Sequence, residues 1–347
     1  MEIEQQKINE LEGAILTARK IALIIHKNPD GDAVGSLLAF TQVLEKIGKV
    51  VAPVCADPVP ENFKFLPGCS KILPDFTVTE FDLVIILDCG DLKQTGFAQT
   101  KPEISDGSRC LVKIDHHAAG GEFGNLKLVY PDRAATSEIL FEIFEFLKVP
   151  LTLPIATCLL TGLCTDTGSF RHTNTTSKNL RIAAKLLSLG ANLNVLARSV
   201  FQTTPLPALK LWGQVLSNLK YTKEGVIFGI AKQKDFQASG TKSNDLAGIN
   251  DLVNSVPEAK FSVLLSEREH IVKASLRTLH KDCDVSEIAT KFGGGGHVQA
   301  ASFSLPGKLE QEISWRIVDP ATQQKVDLNA ELLSKSSSCL NRAKALS

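Results

Sequence analysis

A histidine and two aspartates fall within one short stretch, His26-Lys27-Asn28-Pro29-Asp30-Gly31-Asp32. A neutral imidazole with two carboxylates is a metal-ligand set, and mixed nitrogen and oxygen ligation suits hard or borderline divalent ions. Read alone, the stretch is as well explained by a turn, with Asp30 a turn residue and Asp32 a helix N-cap. The theme recurs at Asp88, at Asp115-His116-His117 and at Asp166 within Thr165-Asp166-Thr167-Gly168. Each group lies at the boundary of an apolar segment, where an unpaired carboxylate is costly. This repetition points to divalent-metal chemistry.

The elements that must position these groups are legible from periodicity. Residues 21–25, 81–87 and 110–114 form largely apolar runs of strand length. The first leads through Pro29 and Gly31 into a helical apolar pattern over 33–47. Such a strand-to-helix turn is where open α/β sheets place their ligands. Further helical patterns cover 136–147, 155–163 and 177–189, the last with Ser177 as N-cap and Gly190 just past its end. Alternation of β and α patterns up to residue 189 predicts a parallel sheet with crossover helices. Another helix is expected over 193–201, and two prolines between apolar patterns predict a linker at 202–208. The first domain then spans 1–201 and a second, smaller α/β domain spans 209–347.

At 347 residues the chain suits two domains. Its 44% hydrophobic and 22% charged residues are ordinary for a soluble globular protein. No apolar run reaches the roughly 18 residues of a membrane span, so no membrane partner is expected. The polar, acidic start Met1-Glu2-Ile3-Glu4-Gln5-Gln6 is unlike a signal peptide. The eight cysteines include no Cys-x-x-Cys and read as reduced core residues of a cytoplasmic protein. Cys89, although beside Asp88, reads as a packing residue. Net charge is +0, no basic run occurs, and aromatics are only 6%. Long nucleic acid calls for a basic face and a stacking track, so a short, phosphate-rich substrate fits better. The oligomeric state stays open, a homodimer included.

His-x-Asn-Pro-Asp-Gly-Asp-Ala-x-Gly-Ser at 26–36, the strand end at Asp88, Asp-His-His at 115–117 and Thr-Asp-Thr-Gly at 165–168 resemble the four motifs of the DHH phosphoesterase superfamily. Val272-Lys273-Ala274-Ser275-Leu276-Arg277 and Gly293-Gly294-Gly295-Gly296-His297-Val298-Gln299-Ala300-Ala301 resemble its companion DHHA1 domain. Size and domain content are most similar to the NrnA-type nanoRNase (oligoribonuclease) and pAp phosphatase branch. That branch includes relatives acting on cyclic dinucleotides and their linear products. The resemblance implies an α/β fold in which a parallel-sheet DHH domain is joined by a linker to a smaller α/β DHHA1 domain. The active site would lie in the cleft between them.

By the same resemblance, His26, Asp30 and Asp88 would hold one cation. Asp32, Asp88, His116 and Asp166 would hold a second, with Asp88 bridging. Imidazole in both sets favours Mn²⁺ over Mg²⁺. His117 would lie by the scissile phosphate, stabilising charge or donating a proton to the leaving oxygen. Asp115 would orient an imidazole, and Asn28 would shape the turn or position a water. In the second domain, Gly294, Gly295 and Gly296 would let the backbone approach a ligand and present N–H groups to an anion. His297, Ser275 and Arg277 would complete a phosphate-binding set, with Lys273 a weaker candidate. Arg268 reads as a hairpin residue. Arg171 and His172 are read either as phosphate contacts or as plain surface residues.

The implied activity is metal-dependent hydrolysis of short oligoribonucleotides to mononucleotides, with removal of the 3′-phosphate from pAp. The alternative is hydrolysis of cyclic di-AMP or its linear product pApA. A reading of another class, a metal-free nucleotide-binding regulator, is disfavoured by the intact ligand set at every motif.

Overall fold

The computed structural model describes residues 4–117, 120–201, 204–246, 248–280, 282–310, 316–318 and 325–327. After helix α1 (Gln5–Thr17), strand β1 (Lys20–Ile24) is buried along its last four residues. Burial on both faces explains why its sequence is continuously apolar rather than alternating. Helix α2 (Gly31–Lys46) follows at once, and then β2 (Val50–Val54), β3 (Leu83–Leu87), β4 (Cys110–Asp115) and β5 (Leu126–Val129). The five strands form one parallel sheet in the order β2-β1-β3-β4-β5. In a parallel sheet all carboxyl ends share one edge. The residues that follow β1, β3 and β4 therefore meet there.

Three helices complete the first core on one sheet face: α3 (Thr136–Phe146), α4 (Leu153–Asp166) and α5 (Ser177–Ser188). Helices α2 and α4 touch backbone to backbone. A Cβ on Gly35 would stand 2.4 Å from the Cys158 carbonyl oxygen, and one on Gly162 would stand 2.4 Å from Asp32 Oδ1. Glycine at both positions permits this approach, which brings Asp32 on α2 near the end of α4. That helix runs to Asp166, beyond the expected end of its apolar pattern. The N-cap of α5 is Thr176 rather than Ser177. Thr176 has an acceptor three residues on, Asn179, and the two form a reciprocal capping pair. Ser177 is followed at that spacing by Leu180, which has no such group.

Helix α6 (Leu193–Phe201) comes next. Of the stretch read as a linker, Gln202 and Thr203 lie outside the described residues. Helix α7 (Leu206–Ser217) begins inside that stretch. Pro207 sits in its first turn, where a missing N–H costs nothing. A second sheet is built from β6 (Lys220–Tyr221), β7 (Val226–Ala231), β8 (Phe261–Arg268), β9 (Ile271–Arg277), β10 (Gly295–His297) and β11 (Ala300–Pro306). Its order is β10-β11-β9-β8-β7-β6, antiparallel except for the β7–β8 pair. Helices α7, α8 (Gln233–Ser239) and α9 (Ile249–Val253) cover one face at β7 and β8, whereas α10 (Val285–Lys291) covers the other. Among the described residues, no helix covers β9, β11 and β10 on the α7–α9 face. Among the described residues, no single helix is long and apolar enough to cross a membrane.

Candidate active site

Each candidate ligand is placed by the end of an element. Asp30 is the N-cap of α2, its Oδ1 accepting from the N–H groups of Asp32 and Ala33 at 3.0 Å each. Asp32 lies in the first turn and is fully buried. Asp88, one residue past β3, has a left-handed φ of 56° and is buried. A non-glycine residue held in that region at a strand end is typical of a site where geometry is dictated by function. His116 follows β4, and Asp166 closes α4.

These side chains converge from four segments. His26 Nε2 lies 3.6 Å from Asp88 Oδ2 and 3.9 Å from Asp30 Oδ2. His116 Nε2 lies 3.5 Å from Asp88 Oδ1 and 3.2 Å from Asp166 Oδ2. Among the described residues three groups have ligand atoms all within 4.8 Å of one another: His26, Asp30 and Asp88; Asp32, His116 and Asp166; and Asp88, His116 and His117. The two oxygens of Asp88 point in opposite senses, Oδ2 to the first group and Oδ1 toward the second. His26 makes a 2.9 Å hydrogen bond through Nδ1 to the Lys27 carbonyl, which leaves Nε2 free to ligate.

The electrostatics fit cations. Burial pushes Asp32 and Asp166 well above the usual carboxylate range, reinforced by the charges of Asp88 and Asp30 on Asp32 and of Asp32, Asp30 and Asp88 on Asp166. Burial also disfavours an ionised Asp88, yet the surrounding His26, His116 and His117 outweigh it and hold its pKa low. Burial likewise opposes protonation of His26, but hydrogen bonding and charge from Asp88, then Asp30, raise its pKa to about 9. Converging carboxylates repel unless cations sit among them, and this donor set fits divalent metal ions.

His117 comes within 3.7 Å of Asp88 Oδ1, but its Nδ1 is taken by Asp115 Oδ1 at 2.7 Å. Asp115 is fully buried and also accepts from the His117 N–H at 3.2 Å. The imidazole it orients is therefore that of His117. Asn28 occupies an exposed turn position with φ 53°, its N–H donating to Asp57 Oδ2 at 2.9 Å. No hydrogen bond from its side chain to the carboxylate cluster is seen among the described residues. Arg171 Nε donates to the Gly168 carbonyl at 2.8 Å and His172 Nδ1 lies 3.2 Å from the Asp166 carbonyl, so both are engaged by their own loop.

The second domain reaches the cluster through the β10–β11 hairpin. The His297 ring stacks on His117, with centroids 4.9 Å apart and planes 22° apart. Thr173 Oγ1 donates to Gln299 Oε1 at the hairpin tip. Desolvation, then His117 and His116, presses the His297 pKa down to about 4. The glycine run is not the open anion cradle expected from its sequence. The Gly294 N–H is spent on the Ala289 carbonyl at 2.9 Å. A Cβ there would stand 2.1 Å from the Ser302 carbonyl oxygen, and one on Gly296 2.4 Å from that of Ala300. These two glycines let the hairpin pass close to its own backbone, and of the three only Gly295 has open space beside it.

Ser275 and Arg277 alternate with Lys273 on β9, while Ala274 and Leu276 point into the α10 core. Strand register puts Arg277 beside Ala300 and Ala300 beside His297, so Arg277 and His297 share the face opposite α10. Arg268 belongs to that face by the same alternation, and its Nε is buried without a hydrogen-bond partner.

Sequence reasoning also missed Thr136 and Ser137. Their N–H groups donate to Asp32 Oδ2 at 2.5 Å and Oδ1 at 2.9 Å, and Thr136 Oγ1 donates to Asp88 Oδ1 at 3.0 Å. A Thr-Ser pair opening a helix carries no sign of partners 104 or 48 residues away.

The chain matches the family model described as "DHH family, N-terminal domain" over residues 20–163 and that of the DHHA1 domain over 214–318. It is 34% identical to a bifunctional oligoribonuclease and PAP phosphatase NrnA of Thermus thermophilus, covering 93% of this chain and 94% of that one. It is 26% identical to a cyclic-di-AMP phosphodiesterase PdeA of Listeria monocytogenes over 85% of this chain and 46% of the other. Among solved structures, an exopolyphosphatase-related protein from Bacteroides fragilis superposes with TM-score 0.81 at 27% identity, covering 90% of this chain and 93% of that one. Motifs in the expected order, their convergence at one sheet edge and a full-length relative lead to one assignment: the chain belongs to the DHH–DHHA1 family of phosphoester hydrolases.

Proposed function

We propose that the protein hydrolyses short oligoribonucleotides to mononucleotides and removes the 3′-phosphate from pAp, using two divalent cations, Mn²⁺ in preference to Mg²⁺. The observation that carries this reading is the cluster of His26, Asp30, Asp32, Asp88, His116 and Asp166 beneath the His297 hairpin. When bound, two such ions polarise phosphoryl oxygens and activate water. His26, Asp30 and Asp88 would hold one, and Asp32, Asp88, His116 and Asp166 the other. Imidazole on both sides supports Mn²⁺.

The chain's own residues account for the remaining steps. Asp115 fixes the tautomer of His117, whose Nε2 is left to stabilise charge on the phosphate or to give a proton to the leaving oxygen. Arg277 and Ser275 bind the phosphate on the second-domain side, and His297 covers it. Zero net charge and the scarcity of aromatics support a short substrate rather than long nucleic acid. The seven described cysteines are all free, which supports a reducing cytoplasm. Similarity to the cyclic-di-AMP phosphodiesterase favours a second reading, hydrolysis of cyclic di-AMP or pApA.

The deciding assay compares pAp, pApA, cyclic di-AMP and short RNA, each with Mn²⁺ and with Mg²⁺. Rates are expected to fall as RNA lengthens from two to about twenty nucleotides, because a stacking track is lacking. Equal or higher rates on the longest strand at matched salt would refute the short-substrate reading, and cleavage confined to cyclic di-AMP and pApA would replace it with the second.

Binding and chemistry separate in the same assay. Removing a charged anchor costs about 1.5–3 kcal/mol, roughly ten- to a hundredfold in affinity. Arg277→Ala is therefore expected to raise KM for dinucleotides by that factor, and His297→Ala, which removes a neutral ring, by less, while metal content stays unchanged in both. Wild-type kinetics in both variants would show that the second-domain face does not hold substrate.

A further inference from the structure

The carboxylates and imidazoles of the centre come from four distant segments, yet one short segment bonds directly to three of them and reaches the fourth through Asn174. Besides the bonds from Thr136 and Ser137 to Asp32 and Asp88, the Arg133 carbonyl accepts from the His116 ring. Asn174 Nδ2 bridges the Ala134 carbonyl at 3.3 Å and the Asp166 carbonyl at 3.2 Å. The segment is itself held firmly. The Glu138 carboxylate, nearly fully buried, accepts from the Ala134 N–H at 2.8 Å and from Asn179 Nδ2 at 2.7 Å.

Within this segment the Thr136 hydroxyl occupies a particular place. Asp88 spans two sites only while its carboxylate plane keeps Oδ2 toward His26 and Oδ1 toward His116. The terminal torsion of an aspartate is broad and soft, so the backbone alone does not set that plane. Imidazoles that ligate through Nε2 cannot also donate from it to Asp88. Among the described residues, Thr136 Oγ1 is then the hydrogen-bond donor that remains on Oδ1, and its residue is fully buried.

We propose that Thr136 is a positioning residue that fixes Asp88 in the bridging orientation, so that the centre takes up its two divalent cations together. This rests on reading the centre as a two-cation site. The hydroxyl carries the effect, because the Thr136 N–H to Asp32 is present whatever the side chain.

The test is a calorimetric titration of the metal-free protein with Mn²⁺, run on wild type, Thr136→Val, Thr136→Ser and Thr136→Ala. Wild type is expected to take up two ions. Loss of an outer-shell partner typically costs 10- to 100-fold in metal affinity. Valine and alanine, which lack the hydroxyl, are expected to bind that much more weakly and in two separate steps, whereas serine restores the wild-type curve. Circular dichroism of the metal-free variants checks their fold, and alanine serves should valine not fold. A wild-type curve from valine or alanine overturns the proposal, as does serine behaving like valine, which would make the γ-methyl the relevant group. Wild type binding fewer than two ions would instead overturn the two-cation reading itself.

Discussion

Replacing Asp88 by alanine is expected to abolish turnover and to strip the protein of both cations. Among the described residues, the two oxygens of Asp88 face different clusters, Oδ2 toward His26 and Oδ1 toward His116, so on the two-cation reading a single substitution would remove a ligand from each. The loss of several kcal/mol of charge stabilisation corresponds to a fall of about 10³-fold or more in kcat/KM. Alanine also inherits a left-handed φ of 56°, a strain of about 1–2 kcal/mol. Asp88→Asn separates the effects, since asparagine tolerates that backbone and keeps the shape but not the charge. Both variants should show the kinetic loss, and elemental analysis should show depleted metal. Activity within tenfold of wild type, with both ions retained, would mean that Asp88 does not bridge.

His117→Ala should behave differently, losing rate while keeping its metal. The His117 Nδ1 is committed to Asp115, and its ring lies under that of His297 at the mouth of the cluster. Positioned acid–base groups contribute roughly 10²–10⁴-fold. A loss of that size in kcat, with Mn²⁺ stoichiometry unchanged, is the expected result. Depleted metal would place His117 among the ligands, an arrangement its 3.7 Å approach to Asp88 also allows. Unchanged kcat would remove it from the chemistry. The contrast between these two variants distinguishes residues that build the centre from one that acts beside it.

Much of this protein was determined by local sequence. The uninterrupted apolar runs at β1 and β3 imply burial on both faces, hence a parallel sheet. A parallel sheet in turn obliges the residues after β1, β3 and β4 to meet at one edge. The candidate ligands were legible for that reason: each stands where a strand or helix pattern stops. Likewise Ser275 and Arg277 share a face because a strand has period two.

Other features were decided only by tertiary packing. The role of Thr136 depends on carboxylates 48 and 104 residues away, and nothing in Ala134-Ala135-Thr136-Ser137 announces them. The glycines at 294 and 296 look in sequence like a flexible anion loop. Folded, they are a steric requirement of a hairpin whose backbone crosses close to itself. Arg268 reads as a turn charge until strand register places it on the face opposite α10 with Lys273 and Arg277. The stacking of His297 on His117 joins two domains by contacts that no periodicity encodes. Sequence patterns specify which side of an element is apolar and where it ends. Which polar groups then share a hydrogen bond is set by the approach of elements far apart in the chain.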